Sequence, residues 1–223
     1  MNVARLAFLM LFARPLARFL TGADVIGREH LPLAGPAIIA ANHTSHVDTL
    51  VLLTIFPARL MGRLRPIAAA DYFLKGPLIS WFSRKLVGIV PIERRASAGE
   101  DVLGPAREAL AVGDIVIIFP EGTRGEGFDR IGRLKAGVAR LAQDFPLAPV
   151  TPVWLEGAGR VLPKGAIVPV PMNCTVLVGA PMRWSGDRSA FMEALLASLD
   201  DLKSRAPPQR WRTPEPAEPR EDP

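Results

Sequence analysis

The sequence predicts an α/β domain in which a central, mostly parallel or mixed sheet is flanked by helices. Short apolar runs alternate with longer helical patterns through the middle of the 223-residue chain, as they do in α/β folds. Residues 115–119 (IVIIF) are apolar at every position, which is typical of a strand covered on both faces of a sheet. Gly113 precedes this run and ends the helix before it. Residues 115–119 are therefore predicted to be a central strand.

The other elements follow from the same alternation along the chain. Strands are predicted where the apolar runs are short, at residues 37–41, 67–70, 89–92, 150–155 and 174–178. Helices are predicted where the pattern is longer, at residues 47–56, 73–85, 102–112, 135–143 and 189–203. The length corresponds to one large domain, or to one domain with an appendage.

Composition excludes several classes of protein. With 49% hydrophobic and 22% charged residues, the chain is able to bury a sizeable core. One cysteine, Cys174, and three histidines are too few for a disulfide scaffold or a zinc cluster, so no metal site is expected. The net charge is +5, carried mostly by arginine, which favours anionic partners. Because continuous basic tracts and aromatic RNA-binding motifs are lacking, a phospholipid surface or a phosphorylated small molecule is favoured over nucleic acid.

Residues 1–20 carry three arginines and no acidic residue. Their longest apolar run, residues 6–13, is far shorter than the roughly 20 residues that span a membrane, and Arg14 and Pro15 interrupt the pattern expected of a signal peptide. An amphipathic helix at the membrane interface is predicted, with an apolar set of Leu6, Leu9, Leu16 and Phe19. The alternative is a helix that packs on the protein's own core.

At the other end of the chain, residues 205–223 contain six prolines and are predicted to be disordered.

The first motif is Asn-His-Thr-Ser-His-Val-Asp, residues 42–48, which lies between a predicted strand and a predicted helix. A histidine held in one tautomer by a carboxylate can take a proton from a hydroxyl near neutral pH. Since no nucleophile elbow or reactive cysteine accompanies His43 and Asp48, the hydroxyl is predicted to be the substrate's own. The alternative is that Ser45 or Asp48 merely caps the helix.

The second motif is Phe-Pro-Glu-Gly-Thr-Arg, residues 119–124, directly after the central strand. Gly122 allows close approach of a ligand, Thr123 offers a hydroxyl, and Arg124 can bind a phosphate through two hydrogen bonds. The glycine spacing matches neither common nucleotide-binding loop. The motif favours a phosphomonoester site, and a glycine-rich surface turn is the alternative.

Four blocks of this sequence resemble, in order, those of the glycerophospholipid acyltransferase family, whose best-known members are the lysophosphatidate acyltransferases. The blocks are residues 42–48, residues 88–94 (GIVPIER), residues 119–124 and residues 150–153 (VTPV). The resemblance covers roughly residues 20–185. With the two chain ends described above, this divides the chain into a docking segment (1–20), an acyltransferase domain (21–204) and the proline-rich tail (205–223).

The resemblance also implies roles for individual residues. His43 would be the general base, oriented by Asp48, and the acceptor's phosphate would be held by Arg94, Glu121, Gly122, Thr123 and Arg124. Lys135, in a basic stretch after the third block, is a secondary candidate.

The implied reaction acylates the sn-2 hydroxyl of lysophosphatidate to phosphatidate at the cytoplasmic face of a membrane. Acyl-CoA or acyl carrier protein is the implied co-substrate, and no cofactor is expected. Another lysolipid acceptor is the alternative, and a non-catalytic lipid-binding module is the more distant one.

Overall fold

The structure, a computed structural model, contains a seven-stranded mixed sheet with helices on both faces, which confirms the predicted fold class. It describes residues 3–69, 76–92, 101–122, 131–163, 166 and 168–208. The strands lie in the order β1-β7-β6-β2-β5-β3-β4. Their bounds are β1 Asp24–Ile26, β2 Ala37–Ala41, β3 Leu64–Ala69, β4 Val90–Ile92, β5 Ile115–Ile118, β6 Val150–Glu156 and β7 Thr175–Val178. Neighbouring strands are parallel except β6 and β7, which are antiparallel.

The helices alternate with the strands along most of the chain. They are α1 Val3–Phe8, α2 Arg14–Thr21, α3 His46–Thr54, α4 Ala58–Met61, α5 Pro77–Phe82, α6 Gly104–Ala111, α7 Gly137–Asp144, α8 Ala158–Val161 and α9 Arg188–Ser204. Two π-helical turns, Leu9–Ala13 and Ser83–Val87, continue α1 and α5, and a 3-10 turn covers Arg28–His30.

The core has two layers because the central strands are apolar on both faces. Every residue of β2 and β5 is buried. On one face the sheet packs against α3, α4, α8 and the helical segment that precedes β1. On the other face it packs against α6, α7 and α9. The fully apolar run at 115–119 predicted this double coverage correctly.

One strand of the structure was not predicted, and another begins earlier than predicted; in both cases a polar residue obscures the apolar pattern. β1 was not predicted, since Asp24 leaves only two apolar residues in this three-residue strand. β3 begins at Leu64, three residues before the predicted start, and its extra residues pair with β5 through Leu64 and Ile115. Arg65 interrupts the apolar run there, so the pattern alone placed the start too late.

Residues 3–21 form a nearly continuous helical segment that packs on the sheet with one face. Arg5, Leu9, Ala13, Ala17 and Leu20 are buried along this inner face. The outer face carries a row of apolar side chains whose exposed fractions lie between 49 and 73%: Leu11, Phe12, Leu16 and Phe19.

The segment therefore contributes to the core and also presents apolar side chains to the outside. The predicted apolar set is divided between the inner and outer faces, because Leu9 is fully buried while Leu16 and Phe19 are exposed. Across the described residues, none of the helices is both long and apolar enough to cross a bilayer. Of the predicted tail, residues 209–223 lie outside the described part of the chain.

Candidate active site

The candidate site lies at the carboxyl ends of β2 and β5, which are adjacent parallel strands. β2 ends at Ala41 and is followed by His43, and β5 ends at Ile118 and is followed by Glu121. Since parallel strands present their carboxyl ends at one edge of the sheet, the topology brings the first and third sequence blocks together there.

His43 and Asp48 form a close pair. His43 Nδ1 lies 2.9 Å from Asp48 Oδ2. The Asp48 side chain is fully buried, whereas 17% of the His43 side chain remains exposed. A carboxylate is an acceptor only, so Nδ1 donates its proton to Asp48 and the lone pair lies on Nε2. This arrangement suits an imidazole that accepts a proton from a bound hydroxyl.

The same carboxylate also caps α3. Asp48 Oδ2 accepts the backbone N–H groups of Thr44 at 2.6 Å and Ser45 at 2.8 Å. Ser45 Oγ in turn accepts the N–H of Val47 and completes a capping box. The two interpretations of this motif are therefore compatible, because one buried carboxylate both begins the helix and orients the imidazole.

Phe119, the residue after β5, covers one face of the His43 ring. The two ring centroids are 4.2 Å apart and the rings are inclined by 22°. An apolar ring stacked on the imidazole limits its rotation and excludes water from that face. Phe119 was predicted as the end of a strand and the start of the second motif. Its stacking on His43 was not predicted, because residues 76 positions apart show no sequence signal of stacking.

Asn42 fixes the chain immediately before His43. Its side-chain nitrogen donates to the Leu155 carbonyl at 3.0 Å, and its side-chain oxygen accepts the Leu155 N–H at 2.7 Å. Asn42 is itself buried. These bonds tie the end of β2 to β6, and they explain why a polar residue follows an entirely apolar strand. A polar residue directly after an apolar strand is the sequence signal of this role.

Glu121 joins two loops beneath the site. One of its carboxylate oxygens accepts the backbone N–H of His43 at 3.1 Å, and the other accepts the N–H of Gly132 at 2.9 Å. Only 8% of the residue is exposed. A negatively charged group with both oxygens occupied suits positioning of the His43 backbone better than contact with a phosphate.

Gly122 adopts a left-handed conformation, with φ of +71°, and lies directly under Lys135. A Cβ added at Gly122 would stand 2.6 Å from Lys135 Nζ. The Lys135 backbone also donates to the Pro120 carbonyl at 2.7 Å. The structure thus brings an ammonium group to the third block. The other predicted phosphate ligands, Arg94, Thr123 and Arg124, lie outside the described residues.

Cys174 is buried, as expected for a packing residue. Burial, together with the negative charges of Asp48 and Glu156, raises the pKa of its thiol to about 12. The thiolate that would be needed for a covalent acyl-enzyme is therefore suppressed at neutral pH.

Comparison with known proteins gives concordant matches. Residues 22–156 match the family model described as Acyltransferase. A chloroplastic 1-acyl-sn-glycerol-3-phosphate acyltransferase of Arabidopsis thaliana is 31% identical over 145 residues, which are 64% of this chain and 38% of that protein. The human 1-acyl-sn-glycerol-3-phosphate acyltransferase alpha is 29% identical over 133 residues, covering 57% of this chain and 44% of that one.

A solved structure extends the similarity to most of the fold. The 1-acyl-sn-glycerophosphate (LPA) acyltransferase PlsC from Thermotoga maritima matches with a TM-score of 0.68 at 25% identity. The match covers 91% of this chain and 83% of that one. By contrast, the aligned region spans less than half of the Arabidopsis and human proteins.

Proposed function

Because the chain belongs to the acyltransferase family, we propose that it transfers a fatty acyl group to the sn-2 hydroxyl of lysophosphatidate and forms phosphatidate. The observation that carries this proposal is the pair of His43 with buried Asp48 at the carboxyl edge of the sheet. The acceptor is supported by the names of the similar plant and human proteins, which are 1-acyl-sn-glycerol-3-phosphate acyltransferases. The proposed donor is acyl-CoA or acyl carrier protein, with no cofactor.

The proposed mechanism needs no acyl-enzyme. Nε2 of His43 takes the proton of the acceptor hydroxyl while the hydroxyl oxygen attacks the carbonyl carbon of the thioester. The carbon–sulfur bond then breaks, and the imidazolium returns its proton to the leaving thiolate. Asp48 stabilises the transient imidazolium through its contact with Nδ1.

The acceptor's phosphate is proposed to bind the basic residues of the second and third blocks. Arg94 and Arg124 supply guanidinium groups and Lys135 supplies the ammonium above Gly122. A charge-assisted hydrogen bond to phosphate contributes about 1.5 to 3 kcal/mol. Arg94→Ala and Arg124→Ala should therefore each raise the KM for lysophosphatidate about tenfold or more, with a smaller change in kcat. Arg140→Ala, an exposed substitution on α7, serves as the matched control.

The decisive experiment supplies purified protein with a radiolabelled acyl donor and a panel of lysolipids, followed by lipid analysis. Preferential labelling of phosphatidate is expected. Equal or faster acylation of a lysolipid with a larger headgroup would overturn the proposed acceptor while retaining the reaction class. No labelled lipid with any acceptor, from either donor, would overturn the reaction itself.

We also propose that the outer face of residues 3–21 docks on the membrane that holds these lipids, at its cytoplasmic side. Deleting the segment is a poor test, since its inner face is part of the core. Phe12→Ser with Phe19→Ser removes apolar groups that are 66 and 73% exposed. This double variant should bind vesicles less and melt normally, whereas unchanged vesicle binding would count against docking by this face.

A further inference from the structure

A basic cavity opens at the edge of the sheet opposite the candidate active site. Its volume is about 640 Å³, and it is lined by Gly62, Val90 and Asp114. These residues lie where β3, β4 and β5 begin. His43 and Glu121 follow the carboxyl ends of β2 and β5. The cavity is therefore separated from the catalytic pair by the length of the strands.

The cavity concentrates positive charge. Its cationic lining residues are Arg5, Arg59, Arg63, Arg65, Arg84 and Lys85. Asp114, the acidic residue among the described lining, forms an ion pair with Arg65 Nε at 2.8 Å. Four cations, Arg59, Arg63, Arg84 and Lys85, form no ion pair with a carboxylate of the described residues.

Arg5 makes the wall of the cavity rigid. Its guanidinium donates to the carbonyl oxygens of Gly62 at 2.7 Å, Leu64 at 2.6 Å and Val87 at 3.0 Å. Burial, together with the nearby positive charge of Arg65, lowers the pKa of Arg5 to about 10. Like charges are thus held close together in a fixed frame, and an anion in the cavity would relieve their repulsion.

Exposed apolar side chains lie next to the cavity. The turn Ser83–Val87, which carries Arg84 and Lys85, directly continues helix α5. On that helix, Leu78 is 76% exposed, Trp81 is 53% exposed and Phe82 is 40% exposed. Phe82 also packs edge-on against Phe8, with centroids 5.3 Å apart. An anion site bordered by exposed apolar groups matches a molecule with a phosphate head and acyl tails.

The segment of residues 3–21 links the cavity to the catalytic edge. It begins at the cavity with Arg5 and ends at Thr21, whose carbonyl accepts the N–H of Cys174 at 2.8 Å. Cys174 precedes β7, which starts opposite Glu156 at the carboxyl end of β6. At 1.5 Å per residue the helical segment is about 28 Å long. A membrane against its outer face would therefore meet both edges of the sheet.

We propose that the basic cavity binds the phosphate headgroup of an anionic membrane phospholipid, separately from the acceptor at His43. The inference rests on the proposed membrane association, and it is independent of the proposed acceptor. The bound lipid would hold the amino-terminal end of the helical segment on the bilayer while the catalytic edge remains free to bind substrate.

The test compares two pairs of substitutions that each remove two positive charges. Arg84→Gln with Lys85→Gln alters the cavity, and Arg140→Gln with Arg188→Gln alters α7 and α9, on the other face of the sheet. Co-sedimentation uses vesicles of phosphatidylcholine with or without phosphatidylglycerol. The cavity pair should weaken binding to the anionic vesicles about thirtyfold, as expected for two basic residues at an anionic surface. The control pair should weaken it less than about threefold.

Other outcomes refute the proposal. Equal losses in the two pairs would indicate diffuse surface charge, and no loss in the cavity pair would mean that the cavity binds no headgroup. Calorimetric titration with inorganic phosphate tests whether the cavity binds the free anion instead of a lipid headgroup. If phosphate binding is lost in the cavity pair while vesicle binding is unchanged, the ligand is soluble phosphate. If instead binding of acyl carrier protein is lost with vesicle binding unchanged, the cavity is a protein site.

An activity measurement separates this proposal from the proposed function. In neutral detergent micelles, the variant that carries Arg84→Gln and Lys85→Gln should acylate lysophosphatidate at the wild-type rate. If wild type is inactive on every acceptor but shows cavity-dependent vesicle binding, the proposed function fails and the headgroup site stands. The reverse result, with normal activity and no cavity effect on vesicles, refutes the headgroup site alone.

Discussion

Replacing Asp48 by asparagine should nearly abolish catalysis while leaving the fold intact. The amide oxygen of asparagine is able to accept the N–H groups of Thr44 and Ser45 in place of Asp48 Oδ2. Two charge-assisted bonds then become neutral, at a cost of about 1 kcal/mol each. The negative charge that fixes the His43 tautomer is lost, so kcat should fall by about 10² to 10⁴.

Ser45→Ala is the matched control. It removes the acceptor of the Val47 N–H and the donor to the Leu162 carbonyl, while Asp48 keeps its charge. Loss of such a cap costs about 0.5 to 2 kcal/mol. The two variants should therefore lose similar stability, and only Asp48→Asn should lose most of its activity.

The assay follows acyl transfer to lysophosphatidate under saturating donor, together with thermal unfolding by circular dichroism. For a domain of this size, 1 kcal/mol shifts Tm by about 2 to 4 °C. Retention of more than about a tenth of kcat in Asp48→Asn would refute the orienting role. An equal loss of kcat in Ser45→Ala would show that the helix cap, and not the charge, is what the activity requires.

Three further predictions test other parts of the structure. His43→Ala should lower kcat at least about a hundredfold with little change in Tm, and a smaller loss would exclude the general-base role. Gly122→Ala should displace Lys135 and raise the acceptor KM, whereas Gly186→Ala, also at positive φ but with open space around it, should only lower Tm. Cys174 should react with a maleimide at pH 8 only after unfolding, since a thiol with a pKa of about 12 is roughly one part in ten thousand ionised there; fast labelling of the native protein would contradict its burial.

The central strands were predictable because burial on both faces leaves a direct mark in the sequence. Residues 37–41 and 115–119 are apolar at every position, and they contain β2 and β5, two strands in the middle of the sheet. The strand β1 leaves no such mark, because it is three residues long and begins with an aspartate. Pairing with β7 establishes it as a strand, and that partner lies about 150 residues away.

The site was predictable only as far as local spacing extends. His43 and Asp48 are five residues apart, so one turn brings them together. Spacing did not reveal the roles of Phe119 and Glu121, because each depends on the adjacency of β2 and β5. That adjacency is a property of sheet order, which a local pattern does not contain.

The helical segment at residues 3–21 shows why both interpretations of an amphipathic pattern can hold at once. The pattern predicted an apolar face, and the structure has two adjacent ones, a buried face with Leu9 and an exposed face with Phe12 and Phe19. Arg5 identifies the buried face, because its guanidinium donates to the carbonyl oxygens of Gly62, Leu64 and Val87. These acceptors lie 57 to 82 residues away in the sequence, so a local pattern does not show them. Because the inner face is fixed to the sheet, the outer face has a fixed orientation relative to His43. Docking of that face would then set the distance between the catalytic edge and the bilayer, so substitutions that loosen the inner face should impair acylation of vesicle-bound lipid more than acylation in detergent.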